Sequence, residues 1–247
     1  MCRLTAYLGQ PIALGQMLLG APHSLVRDAY SFGVGWYAPD AVPAVYINTS
    51  PSWLDNNLPH LGRSLSSGLW LAHTQNIGPA LPSAAPASQP LYDDEFLFIQ
   101  HGGIAQFRTT LAPLIRSFLA PELEAGLQTN SEAEYLFAIV RHLLADDDEM
   151  SIDQALSEMF ELLENWLDGL PAQLNMIITD GEGVYAVRHG INAACAPLYY
   201  TTDAEDYPGA QLIVSEPLSS SEFWQPVPEH HILILDSYEP PDVIPLQ

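Results

Sequence analysis

The chain opens "MCRLTAYLGQ", and the cysteine directly behind the initiator methionine is the first residue whose type and place could do chemistry. Removal of Met1, usual when a small residue follows, leaves Cys2 with both a thiol and a free α-amine. The unperturbed amine titrates at about pH 8 and the thiol at about pH 8.5, so the amine can take the thiol proton directly or through water. Nucleophile and base then share one residue. The plain alternative is a small apolar residue that starts a strand, since buried cysteine is common.

Other reactive residues are less suggestive. Cys195 stands in "AACAP", an apolar context, and reads as packing. Two cysteines separated by nearly the whole chain offer neither metal-ligand spacing nor a disulfide framework, which fits a reducing compartment. The densest histidine cluster is "EHH", Glu229 to His231. Adjacent strand residues point to opposite faces, so His230 and His231 are not expected to share an ion, and no metal is expected. His73 and His101 fall at strand ends and read as structural. "GVGW" lacks the third glycine and the helix of a phosphate cradle, no serine stands in a G-x-S-x-G elbow, and no cofactor is expected.

The elements that must position these residues show in the apolar period. Runs with period two or continuous apolar character predict strands over 3–8, 32–37, 44–47, 69–73 and 96–100, then over 174–179, 184–188, 198–201, 212–215 and 231–235. "TDGEG" (Thr179 to Gly183) joins two of these as a hairpin. Between the two sets, Ser131 with Glu134 three residues on predicts a capped helix through about Leu144, and Ser151 opens another to Leu167. Shorter helices are predicted over 14–19, 54–65 and 110–119. Segment 78–90, "GPALPSAAPASQP", reads as a surface loop. Strands, a helical centre and strands again predict two antiparallel sheets with helices packed outside, in a single domain spanning 1–247.

With 247 residues and 48% hydrophobic content, the chain can bury a sizeable core. Its 30 acidic residues face seven arginines and no lysine, for a formal net charge of −23, so nucleic acid and anionic membrane are excluded as partners. The opening segment has no cationic stretch ahead of a long apolar run, and no span approaches the roughly 18 apolar residues of a membrane helix. A cytoplasmic protein is expected.

Six segments, in order and over nearly the full length, carry a resemblance. "MCRLTAYLGQP" is similar to an opening of Met-Cys-Arg, strand and Leu-Gly-x-Pro turn. "FGVGWY" is similar to a glycine-spaced aromatic strand. "WLDNNLPHLGRSLSSGLWLAHT" resembles the helix and strand that lead to an Ala-His-x-Arg segment. "FLFIQHGGIAQF" resembles Phe-x-His-Asn-Gly-x-Ile-x-x-Phe, "TNSEAEYLF" a Thr-Asp-Ser-Glu helix start, and "LIVSEPL" an Ala-Ser-Glu-Pro-Leu strand end. The family is the class II glutamine amidotransferases, N-terminal nucleophile enzymes. Within it the chain resembles the branch of the γ-glutamyl hydrolase of ergothioneine biosynthesis and the bacterial type 2 amidotransferases. The resemblance implies an α+β fold, a four-layer αββα sandwich. It also implies attack of Cys2 on a γ-glutamyl amide carbon through a thioester, and an oxyanion held by the backbone N–H of Gly103.

The motifs also depart from that pattern. Gly102 stands at the family's oxyanion-hole Asn, and a water or another side chain, Gln100 or Asn76, could substitute for the missing donor. Gln75 stands at the Arg that holds the substrate α-carboxylate, and Asn130 at the Asp that meets the α-ammonium. Tyr30 and Ser31 replace Asp-Gly ahead of "FGVGWY", and Gln89 replaces a frequent His before Pro. Removing one charge alone would strand its opposite in a closed pocket, so both are expected to be lost as a unit. Gln75, Asn76, Gly102 and Asn130 are thus the expected substrate side, with Cys2 and Gly103 catalytic. The expected ligand is a small amide, with hydrolysis more economical than handing ammonia to a separate synthase, and with a homo-oligomer left open. A catalytically silent relative that binds a ligand or protein on the old pocket is the competing reading.

Overall fold

The computed structural model describes residues 2–19, 25–26, 29–75, 89–202, 204, 206–219 and 222–246, with Cys2 and Leu19 described by backbone alone. Elements are numbered in chain order. Strand β1 (Cys2–Ala13) shows why the chain makes two cores rather than one. Leu4, Ala6 and Leu8 alternate into the core between the sheets, whereas Tyr7 packs into the outer core. Strand β4 (Ser66–Gln75) repeats the pattern, with Leu69 and Leu71 inward and Trp70 and Ala72 outward. Both faces of these strands are apolar because both are covered.

β1 and β4 pair antiparallel from Leu8 opposite Leu69 to Cys2 opposite Gln75. The register shifts between Leu8 and Ile12, where Pro11 has no N–H to give the ladder. Strands β2 (Ser31–Tyr37) and β3 (Pro43–Asn48) extend the sheet on one side. On the other lie β9 (Tyr199–Thr201), β10 (Gln211–Val214) and β11 (Gln225–Pro226), which gives the order β11, β9, β10, β1, β4, β2, β3.

The second sheet runs β13 (Asp242–Pro245), β12 (His231–Asp236), β8 (Gly183–Ile191), β7 (Ala172–Thr179), β6 (Leu97–Ile104) and β5 (Leu91–Tyr92). Its outer face carries helices α5 (Glu132–Asp146) and α6 (Ile152–Leu167), whose Leu136, Ile139, Met159 and Leu163 pack on Phe98, Met176, Ile178 and Val187. Each such fully buried side chain contributes about 2 kcal/mol by leaving water. Helices α1 (Leu14–Leu19) and α2 (Leu58–Ser64) cover the outer face of the first sheet. The result is the expected αββα sandwich with antiparallel sheets. Among the described residues no helix is long and apolar enough to cross a membrane.

The glycines of "FGVGWY" allow close approach between layers. A Cβ on Gly33 would sit 2.0 Å from the Gln89 carbonyl oxygen, and one on Gly35 would meet the Leu97 side chain at 2.9 Å.

Several local expectations need correction. The predicted helix over 54–65 is a 3-10 turn (Ser52–Leu54) followed by α2, and the one over 110–119 is a π-helix (Phe107–Leu111) running into α3 (Ala112–Phe118). A further helix, α4 (Pro121–Gly126), and the very short β5 and β11 carry too few residues for a period to register. At α5, Ser131 Oγ accepts from Glu134 N (3.3 Å), but the Glu134 carboxylate accepts from the N–H groups of Gln128 and Thr129 instead of Ser131. The full capping box is at α6, between Ser151 and Gln154. Cys195 is half-buried in the segment between β8 and β9, outside all three hydrophobic cores. His230 precedes β12 in a turn with φ of 60°, so the alternation argument for His230 and His231 does not apply to it. The predicted loop over 78–90 lies outside the described residues up to 88.

Candidate active site

A cavity of about 720 Å³ opens where the ends of β4 and β6 meet the start of α5. Its walls include His73 and Gln75 from β4, Gln100, His101 and Gly102 from β6, and Asn130 ahead of α5. Three residues named from the sequence, Gln75, Gly102 and Asn130, therefore converge on one space. Cys2 is tied to it through the backbone, as the register partner of Gln75. Gly103 is exposed and is not part of the cavity wall, and Asn76 lies outside the described residues.

Gln75 is held from both sides. Tyr30 N donates to its carbonyl oxygen (2.9 Å), and Ser31 Oγ donates to its side-chain Oε1 (3.5 Å). Of the two residues that replace Asp-Gly, Tyr30 thus fastens the main chain of Gln75 and Ser31 its side-chain amide. Gln89 has a comparable supporting part, because its Nε2 donates to the Gln100 carbonyl (3.1 Å) and its Oε1 accepts from Gln100 N (2.5 Å). A side-chain amide there completes the edge of β6. The Gln100 side chain lines the cavity, and its buried Nε2 has no hydrogen-bond partner among the described residues.

Gly102 is more than a lost side chain. Its φ is +125°, and a Cβ built on it would lie 1.8 Å from the Gln173 carbonyl oxygen of β7. Backbone and neighbouring strand together specify glycine at this point.

His73 and His101 meet from opposite sheets, each two residues beyond an inward-facing apolar residue, Leu71 and Ile99. Burial, then the neighbouring His101, pushes His73 down to about 3, and burial lowers His101 as well. Burial thus favours the neutral form of both imidazoles.

Two charged residues that sequence reasoning missed do line the cavity: Arg108 of the π-helix and Glu132, the first residue of α5. Glu132 Oε1 accepts from Ile104 N (3.2 Å). Burial raises its carboxyl, while that hydrogen bond and Arg108 oppose the rise. Arg3, Arg116, Arg141 and Arg188 each pair with a carboxylate at 3.3 Å or less, and Arg63 contacts His60. Among the described arginines only Arg108 lacks such a side-chain partner. The signal for Glu132 was its place in "TNSE", and for Arg108 its place directly after "HGGIAQF"; neither marks a cavity wall until the fold is known.

No family model matches the chain. At 22% identity it aligns over 95% of its length with 82% of a protein of Saccharomyces cerevisiae named "Probable glutamine amidotransferase". At the same identity it aligns over 94% of its length with 95% of the γ-glutamyl-hercynylcysteine sulfoxide hydrolase of Mycolicibacterium smegmatis. Among solved structures, a class II glutamine amidotransferase domain protein from Silicibacter pomeroyi superposes with a TM-score of 0.76, covering all of both chains at 22% identity. The fold is that of the class II glutamine amidotransferases. The resemblance read from the six segments therefore holds in three dimensions. In this amidotransferase fold the first residues of β1 lie beside the cavity because β4, their antiparallel partner, ends there.

Proposed function

We propose that the chain is an amidohydrolase of the class II glutamine amidotransferase type, cleaving a γ-glutamyl or related amide with Cys2 as nucleophile and its α-amine as base. The amine takes the thiol proton, sulfur attacks the amide carbon, and the leaving amine takes that proton as a thioester forms. Water then adds to the thioester and releases the acid, which restores the thiol. Of the family's two oxyanion donors the sequence keeps only the Gly103 backbone N–H, although Gly103 lies off the cavity wall here, and loss of one donor costs roughly 10²- to 10³-fold in turnover. Slow turnover is expected.

The family's zwitterion clamp is missing at Gln75 and Asn130, as read from the sequence, but Arg108 and Glu132 put one cation and one anion on the same cavity. These are read as the partners of a substrate's α-carboxylate and α-ammonium. The observation that carries the proposal is the register: Cys2 pairs with Gln75, and Gln75 lines a cavity together with Arg108 and Glu132. The hydrolase named in Mycolicibacterium smegmatis supports a γ-glutamyl substrate. A cytoplasmic, single-domain enzyme that releases the amine to solvent, without a synthase partner, completes the reading.

Gly102 favours one second reading, a silent relative that binds a ligand in this cavity, because its backbone excludes the missing donor. Intact-mass analysis separates the two. The purified chain is incubated with 6-diazo-5-oxo-norleucine, with glutamine and with γ-glutamyl conjugates. Expected are loss of Met1, a single adduct absent from Cys2→Ala, and hydrolysis of at least one conjugate. Met1 retained, or Met1 removed with neither adduct nor hydrolysis, rejects catalysis and leaves binding.

A further inference from the structure

The segment that carries the chain from β8 to β9, and so from one sheet to the other, lies against the turn that leads into β12. Cys195 on the first and Glu229 and His230 on the second bring one ligand atom each within 4.8 Å of one another. We propose that these three residues form a binding site for a zinc-class divalent cation.

The argument rests on how the surrounding residues fix the free atoms. His230 Nδ1 faces His189 Nδ1 at 3.2 Å, so one of these nitrogens donates to the other. His189 Nε2 lies 3.4 Å from Glu164 Oε1, an approach outside hydrogen-bond geometry, and is otherwise buried without a hydrogen-bond partner among the described residues. A carboxylate beside Nε2 favours the tautomer with its proton there, which leaves His189 Nδ1 as the acceptor. His230 Nδ1 then carries the hydrogen, and its Nε2 lone pair is free. The opposite assignment would set a lone pair of His189 beside the Glu164 carboxylate and leave no donor near it. A ligating histidine held through its other ring nitrogen is the usual support of a metal site.

The remaining ligands are fixed by Arg188, whose Nε donates to Ala196 O (2.8 Å), Nη1 to Val227 O (2.8 Å) and Nη2 to Glu229 Oε1 (3.1 Å). One guanidinium thus ties both segments to β8 and leaves the second oxygen of Glu229 to bind. His230 holds a left-handed φ of 60°, a sparsely populated conformation for this residue type. One thiolate, one imidazole and one carboxylate suit a tetrahedral ion with borderline N and S preference, a water taking the fourth position. Binding releases the Cys195 thiol proton to solvent and leaves no redox change. The ion would clip the segment between the sheets onto the turn before β12.

Chelator-treated full-length chain titrated with Co²⁺ and then Zn²⁺ tests this. One Co²⁺ per chain is expected, with a thiolate-to-cobalt charge-transfer band that Zn²⁺ abolishes. Cys195→Ser should remove the band while leaving the melting temperature of the metal-free chain unchanged. His230→Ala should weaken binding at least about tenfold, and His189→Gln, which touches no ion, by roughly 10- to 100-fold. Uptake without the band would put the ion on carboxylates elsewhere, and a band that survives Cys195→Ser would come from Cys2, the other cysteine of the chain; either result overturns the proposal. Unchanged affinity in both histidine variants overturns it equally.

Discussion

Returning asparagine to position 102 is the substitution that motif comparison would suggest first, and the structure predicts that it breaks the strand. An ideal Cβ there lies 1.8 Å from Gln173 O and 2.7 Å from Gln173 C, both backbone atoms of β7. Ordinary Cβ contact begins at 3.4 Å, so β6 must withdraw by over an ångström from a partner with which it pairs continuously from Leu97 to Ile104. The side chain must also adopt φ of +125°, which costs roughly 1–3 kcal/mol for a non-glycine residue. One or two ladder hydrogen bonds given up near Leu174 add about 1 kcal/mol each. Together these give a loss of about 2–5 kcal/mol for Gly102→Asn and much the same for Gly102→Ala. For a chain of this length that lowers Tm by roughly 4–10 °C. Urea unfolding followed by circular dichroism measures it, with the two variants side by side. If Gly102→Asn were within about 0.5 kcal/mol of the unaltered chain, the local backbone would be adaptable and the geometric argument would fail. The same outcome would reopen Asn at 102 as a simple way to regain the second oxyanion donor.

Arg108→Ala and Glu132→Gln should each raise KM for a zwitterionic γ-glutamyl amide by roughly five- to tenfold with kcat little changed, a modest value because Arg108 is exposed. An amide lacking the α-amine should be insensitive to Glu132→Gln, and equal KM values for both variants and both amides would remove these residues from recognition. Acid should destabilise the fold through His73. Its folded pKa, about 3, lies below the ordinary 6.5, so the unfolded chain binds the extra proton and stability falls as pH drops through that window. By about pH 4.5 the loss from this residue is about 3 kcal/mol, measured as the difference between the unaltered chain and His73→Gln in urea unfolding across pH. A His73→Gln variant with the same pH slope would show that His73 is solvated.

Much of this was legible in the residues. The alternation in "RLTAYL" and the helical stripe from Ile152 to Leu167 mark elements that one face of core suffices to specify, and Ser131 and Ser151 mark where helices begin. The six segments in order gave the sandwich and placed Gln75, Gly102 and Asn130 on one cavity. What escaped was short or paired across the sequence. β11 has two residues and α4 has six, too few for a period, and the π-helix begins at a left-handed Gln106 that no pattern announces.

The deciding distinction is range. Sequence by itself determined which residues turn inward, where the long helices start and which motifs follow one another, because those depend on neighbours within a turn or a strand. Tertiary structure alone decided that Gln173 closes the space beside Gly102, that Arg108 and Glu132 face one cavity, and that Cys195 meets His230. Those contacts join residues 24 to 71 positions apart in the chain, and their chemistry follows from distance and exclusion of water, neither of which a linear order of residue types contains.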